Sequence, residues 1–231
     1  MDCNPQSMKT TSIKTLLVAC TLLLIVPCVT AGEPDLLRTE NDYRASMDEM
    51  HLNKKTRQFI KTYIRANKEE LDLVKQKSSS PFAITDSVFN EYALPVQLKY
   101  LAVVESDLKT KAVSRVGAVG PWQLMPETAR LLGLKITYRN DERKRYDKST
   151  EAAAKYLKDL YGEFGNWLLV FAAYNGGEAA VYHAMHMAGS RSFWQMQKYL
   201  PAESRSYVKK FIATCYFFEG RSSLRQFCIA G

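Results

Sequence analysis

Residues 166–175 read NWLLVFAAYN, and from Trp167 to Ala173 no position offers a polar side chain. A helix that is apolar on every side must be enclosed by other elements, so this stretch demands a surrounding shell. The rest of the chain supplies one, because nearly every segment has helical periodicity. PDLLRTENDYRASMDEM and KKTRQFIKTYIRANKEELDLVKQK are mixed-charge helices ahead of a serine run at 78–80. Pro81 opens PFAITDSVFNEYA, and Pro95 sits early in the next helix, where proline is tolerated. Pro126 starts PETARLLG, which Gly133 ends, and a charged loop, YRNDERKRYDKS, follows. Ser149 reads as the N-cap of the next helix, with Glu151 inside its first turn. That helix aligns Ala153, Tyr156, Leu157, Leu160, Tyr161 and Phe164 on one face. GEAAVYHAMHMAG and SRSYVKKFIATCYFFEG form the last two helices. Only residues 106–121 break the pattern, with turn formers that imply a loop or a small hairpin. The expectation is a single all-α domain with an N-terminal helical extension and at most one small hairpin.

The first residues are a different kind of sequence. Lys9 and Lys14 precede the apolar run TLLVACTLLLIVP, and Val29 and Ala31 supply small residues before Gly32, which predicts an exported chain cleaved after Ala31. The rival readings are an uncleaved anchor, and a lipoprotein attached through Cys20 or Cys28. The expected organisation is a leader at 1–31, a helical extension at 32–80, a main helical domain at 81–218 and a tail at 219–231. With 46% hydrophobic and 24% charged residues the chain is globular rather than disordered. A formal charge of +8 suits an anionic polymer or a membrane surface, and equally suits ordinary solubility. Beyond the leader two cysteines remain, Cys215 and Cys228; either they pair in an oxidising compartment or Cys215 is a core residue. Neither they nor His51, His183 and His186 have metal-ligand spacing, so no metal or cofactor is expected.

One carboxylate stands in an unusual position. In LKYLAVVES, Leu98, Leu101, Ala102 and Glu105 fall at i, i+3, i+4 and i+7, which puts Glu105 on the face that the pattern marks as buried. It also lies at a helix C-terminus, where the dipole opposes negative charge. Both effects raise a glutamate's pKa, and a general acid that works near neutrality needs such a shift. The plain alternative is a helix-end glutamate turned to water. In VGAVGPWQLMP, Gly117 and Gly120 allow a close backbone approach, and Gln123 carries an amide beside Met125. In AAYNGG, Tyr174 and Asn175 close the apolar helix; the asparagine either caps that end or faces a ligand. Glu203 and Tyr207, four apart, share one helix face.

Taken together, ES at 105–106, SRVGAVGPWQLMPETA at 114–129, AAYNGG at 172–177 and LPAESRSYV at 200–208 resemble the lytic transglycosylases of the goose-lysozyme-like superfamily. RQFIKTYIRANKEELD and LPVQLKYLAVVES look like the N-terminal helices of the membrane-bound lytic murein transglycosylase D type. The resemblance covers roughly residues 50–218. It implies a lysozyme-like helical domain of the goose-type or SLT kind, with Glu105 as catalytic acid and base. Ser114, Gln123, Met125, Tyr174 and Asn175 match positions that line the sugar cleft, and Glu203 and Tyr207 match positions that close it. The chain departs from the family at Pro121, usually leucine, and at Ala179, often glycine. The implied partner is the peptidoglycan glycan strand, with envelope proteins as further partners, no nucleic acid and a monomeric state. The implied location is the periplasm or cell envelope, including association with the outer membrane.

The resemblance also implies the chemistry. Glycosidases ordinarily use two carboxylates, and no second one matches here: Asp107 is two residues away, and Glu127 and Glu178 lie near motifs without a corresponding role. A single acid suffices if the C6 hydroxyl of N-acetylmuramic acid attacks its own C1 to form a 1,6-anhydro end. A goose-type lysozyme that hydrolyses the same bond and a non-catalytic wall-binding protein are the alternatives.

Overall fold

The computed structural model describes residues 54–227, with side chains through Gly220. The expected leader, its cleavage after Ala31, His51, Cys228 and the first part of the helical extension lie outside the described residues. Ten α-helices follow one another: α1 (Lys54–Ala66), α2 (Lys68–Lys77), α3 (Ser79–Glu91), α4 (Tyr100–Ser106), α5 (Pro126–Leu131), α6 (Tyr146–Phe164), α7 (Trp167–Gly176), α8 (Glu178–Ala188), α9 (Phe193–Met196) and α10 (Ala202–Phe227). Short 3₁₀ turns at Val96–Lys99, Glu142–Lys144 and Gln197–Tyr199 join some of them. The described residues contain isolated β-bridges but no named strand.

The enclosed helix is α7, as its composition requires. Every residue from Trp167 to Ala173 is buried. Asn166 starts it by accepting the amide protons of Leu168 and Leu169, which satisfies donors that a helix start leaves unpaired. α6, α8 and α10 pack around it, with Tyr161 against Trp167 and Phe171 against Phe211 at ring separations of 4.4 and 4.1 Å. Each large side chain so enclosed stabilises the fold by about 1.5–3 kcal/mol. The apolar face expected of α6 is mostly buried too, since Ala153, Leu157, Leu160, Tyr161 and Phe164 all lie inside; Tyr156 is half-buried against the same core. α1 and α2 pack on α10, so Ile60 of α1 and Leu71 and Val74 of α2 join the same core.

Four helix boundaries differ from expectation. The serine run does not interrupt the helices, because Ser78 keeps a helical backbone between α2 and α3. α3 begins at Ser79, and Pro81 fits in its first turn, where a missing amide proton costs no hydrogen bond. Pro95 precedes a 3₁₀ turn rather than lying within α4. Ser149 is not an N-cap: α6 starts at Tyr146, and the fully buried Ser149 returns its hydroxyl to the Tyr146 carbonyl. Asp147 takes the acidic place in the first turn, so the capping signal read at Ser149 lay one turn too late. The last helix runs on to Phe227 past a non-helical Gly220 at φ 75°.

The irregular segment after α4 folds as a compact loop. Val119 bridges to Val113 on one side and to Leu124 on the other, a vestige of the expected hairpin. Its organiser is Arg143, which sequence reading left inside an undifferentiated charged loop. Arg143 is buried, and its guanidinium donates to the carbonyls of Gly117 and Leu124, each at 3.0 Å, while Asp141 pairs with it at 2.8 Å. Gly120 sits against the same residue: a Cβ there would lie 1.9 Å from the Arg143 carbonyl oxygen, and φ is +86°. Only glycine tolerates that approach in that conformation. Arg143→Met should therefore destabilise the protein by about 3–5 kcal/mol, since it strands the Asp141 carboxylate and two carbonyls. Chemical denaturation of the two proteins measures the difference; equal midpoints would mean that the loop does not depend on the guanidinium.

Candidate active site

α4 ends abruptly. Asp107 and Leu108 both adopt left-handed backbone, at φ 54° and 64°, and their amides turn back to the carbonyls of Val103 and Ala102. Two consecutive non-glycine residues in this conformation are costly, so the surrounding structure must hold them there. The turn fixes Glu105 in the last turn of the helix. Leu98, Leu101 and Ala102, its partners on the apolar stripe, are fully buried, and Glu105 is half-buried where the stripe meets the surface. Ser106 anchors the junction by donating to the Pro121 carbonyl at 2.9 Å.

The surroundings of Glu105 come mainly from α10. The Tyr207 hydroxyl donates to Glu105 Oε1 at 2.6 Å across 102 positions of sequence. Glu203 and Lys210 flank Tyr207 on the same helix and act on Glu105 electrostatically. Positions 203, 207 and 210 are i, i+4 and i+7, one stripe of α10. Burial pushes the Glu105 carboxyl up to about 7, against an ordinary value of 4.5. The Tyr207 hydrogen bond opposes that rise, the Glu203 charge adds to it and Lys210 reduces it. Tyr207 and Tyr174 are raised well above the usual phenol range, first by burial and then by the nearby Glu105 charge, and so remain neutral donors.

Tyr174 joins this cluster to the loop. Its hydroxyl donates to the Trp122 carbonyl at 2.8 Å, and its ring packs on Tyr156 at 5.4 Å. Trp122 is itself buried and donates to Thr150 at 3.0 Å. The next residue, Gln123, has left-handed backbone at φ 46° and gives its amide protons to the Gly120 carbonyl at 2.8 Å. Asn175 does not cap α7, which continues to Gly176 and is ended by Gly177. Its side-chain oxygen accepts the Ser204 hydroxyl at 3.0 Å. Gly176 permits this closeness, for a Cβ there would lie 2.3 Å from Ser204 Oγ.

The remaining candidates are more distant in their contacts. Ser114 accepts the Ala118 amide at 2.9 Å and closes a turn within the loop. Met125, 38% exposed, stands at the start of α5. Among the described residues neither hydrogen-bonds to the Glu105 cluster. Asp107 points elsewhere and pairs with Lys109 at 2.9 Å. Glu203 is exposed rather than paired with Tyr207. Sequence reading quoted Ser106, Trp122 and Ser204 within its motifs but gave them no role, and it passed over Lys210, whose signal was its helical spacing from Tyr207.

The electrostatics predict a pH dependence. The folded protein keeps a proton on Glu105 that the unfolded chain releases above about pH 4.5. Its contribution to stability is therefore complete below that value and lost as pH rises through about 7. Glu105→Gln removes the loss, on the order of 3 kcal/mol, and should be more stable than the parent at pH 8 but not at pH 4. Urea unfolding at both pH values tests this; an equal difference at the two would contradict it. Tyr207→Phe, by deleting the hydrogen bond to the carboxylate, should move the Glu105 titration upward, as read by carboxyl carbon NMR.

Comparison with known proteins bears on this geometry. Residues 87–197 match the family model described as the transglycosylase SLT domain, a span that holds Glu105, the loop and Tyr174–Asn175 but stops short of Glu203 and Tyr207. The chain is 39% identical over 125 residues to membrane-bound lytic murein transglycosylase D of Escherichia coli strain K12, a match that covers 52% of this chain and 27% of that protein. Among solved structures, an inactive mutant of the lytic transglycosylase Slt from Pseudomonas aeruginosa superposes with a TM-score of 0.52 at 24% identity, covering 62% of this chain and 24% of that one. The 70 kDa soluble lytic transglycosylase of Escherichia coli gives a TM-score of 0.51 at 24% identity, covering 63% and 26%. The fold is thus the lysozyme-like helical fold of those enzymes, and residues 87–197 are similar to the transglycosylase SLT domain.

Proposed function

We propose that this protein is a peptidoglycan lytic transglycosylase in which Glu105 acts alone, first as acid and then as base. The observation that carries the reading is a carboxyl group held near neutral pKa by burial and hydrogen-bonded by Tyr207, in a chain similar to the transglycosylase SLT domain and to a lytic murein transglycosylase. A group poised near the working pH both gives and recovers a proton efficiently. Tyr207 occupies Oε1, which leaves Oε2 to carry the proton. That proton passes to the glycosidic oxygen as the bond from C1 of N-acetylmuramic acid breaks. The C6 hydroxyl oxygen of the same sugar then bonds to C1, and its proton returns to Glu105. The products are a shortened strand and a 1,6-anhydro end, with no water consumed.

Among the described residues no second carboxylate matches a catalytic role, which is consistent with this route. Asp107 is held by Lys109, and Glu203 acts by raising the Glu105 pKa, which keeps the proton in place at rest. In this reading Gln123, whose amide nitrogen is already engaged by its own loop, offers its oxygen to a sugar N–H or hydroxyl. Tyr174, Asn175, Ser114 and Met125 line the cleft, and Glu203 and Tyr207 close it. The catalytic unit spans 81–218, and the leader exports it to the envelope as a monomer acting on glycan strands. Among the described residues no helix is long and apolar enough to cross a membrane.

Digestion of purified peptidoglycan, with mass spectrometry of the products, tests the chemistry. Anhydro ends are expected; ends heavier by one water would instead make the protein a goose-type lysozyme. Glu105→Gln should reduce turnover by roughly 10²–10⁴ while binding of wall material persists. Asp107→Asn and Glu127→Gln should retain most activity, and wild-type turnover in Glu105→Gln would sink the assignment. Turnover by the parent should decline above about pH 7 as Glu105 loses its proton.

A further inference from the structure

The helix that brings Tyr207 to Glu105 has a second face with its own character. Arg205 and Lys209 each stand two residues from Tyr207, about 200° around the helix, and so point away from the carboxylate. They line a pocket of about 430 Å³ together with Lys55 of α1 and Lys198 of the turn before α10. Among the described residues no carboxylate lines this pocket or forms an ion pair with any of the four cations. Arg205 donates to the Lys198 carbonyl at 3.2 Å, which holds two of the cationic residues together. The Lys209 ammonium is lowered from its usual range, first by burial and then by the charges of Arg205 and Lys55. An unneutralised cluster of this kind repels itself, and an anion in the pocket relieves the repulsion. Gln195 and Gln197 add amides to the wall, and Trp194 lines it as well, its indole N–H buried and without an acceptor in the protein.

We propose that this pocket holds the carboxylates of a wall peptide stem on the glycan strand that lies in the Glu105 cleft. The inference rests on the proposed function for the strand itself. Cations beside amide groups match a short peptide ending in carboxylates. The concave shape favours such a compact group over a flat lipid surface. The route runs over the start of α10 rather than around it: four extended residues span about 13–14 Å, against about 10–12 Å for the width of a helix with its side chains, whereas the arc of about 200° around it exceeds that span. A stem can therefore leave the cleft, pass the start of α10 and reach its far side.

The test is a titration of the full protein with the free tetrapeptide stem released from peptidoglycan by an amidase, followed by NMR at the Trp194 indole. The same peptide with every carboxylate amidated serves as comparison. The free acid should bind at least about tenfold more tightly than the amidated form. The doubly substituted Lys198→Gln, Lys209→Gln protein should lose that preference, while Lys198→Arg, Lys209→Arg should keep it. Equal binding of both peptides, or an unchanged preference in the glutamine variant, overturns the proposal. So does binding of vesicles with anionic headgroups that depends on these lysines when the peptide does not bind. Strand digestion by the same preparation is read in parallel. Cleavage without carboxylate-dependent peptide binding removes the pocket alone, whereas absence of cleavage removes the proposed function on which it rests.

Discussion

The desolvation of α7 governs the architecture. A ten-residue helix with no polar stripe cannot rest on a surface, so α6, α8 and α10 must each give it an apolar face. α10 therefore has two obligations. Phe211 packs into α7, and Tyr207, one turn earlier, reaches Glu105 at the end of α4. The catalytic candidate and its hydrogen-bond donor meet because both helices are drawn to one core.

The carboxyl group of Glu105 is a balance of opposed effects of similar kind. Burial favours the proton, the Tyr207 hydroxyl favours the charge, and Glu203 and Lys210 pull in opposite directions from the same helix stripe. The outcome near neutrality is a property of the arrangement, since no single neighbour produces it. Tyr174 and Tyr207, kept neutral by their own burial, contribute hydrogen bonds without adding charge.

The loop after α4 reaches its shape by a different route. It buries Ala118, Val119, Trp122 and Leu124 without a helix or strand to hold them, and its carbonyls converge on the guanidinium of Arg143 while Gly120 lies against that residue's backbone. Trp122 then plugs the loop into the core, and Tyr174 ties it to α7. A charged side chain, more often found at surfaces, thus serves as the internal frame of a loop.

By itself the sequence determined the class of fold and singled out Glu105 as the carboxylate on a buried face. Helical periodicity is a local property, so the apolar stripe of α6, the all-apolar α7 and the odd placement of Glu105 on a buried face were legible without coordinates. Boundaries were less so, because Ser149 carries the same capping signal whether a helix begins there or one turn earlier, and tertiary burial decided for Tyr146. The tertiary structure alone decided which groups surround Glu105, that Arg143 is buried rather than solvated, and that Asn175 faces Ser204 instead of capping its helix. These depend on contacts between residues up to 102 positions apart, and pairings at that range leave no periodic trace in a single chain, because spacing along the backbone records only neighbours within a turn or two.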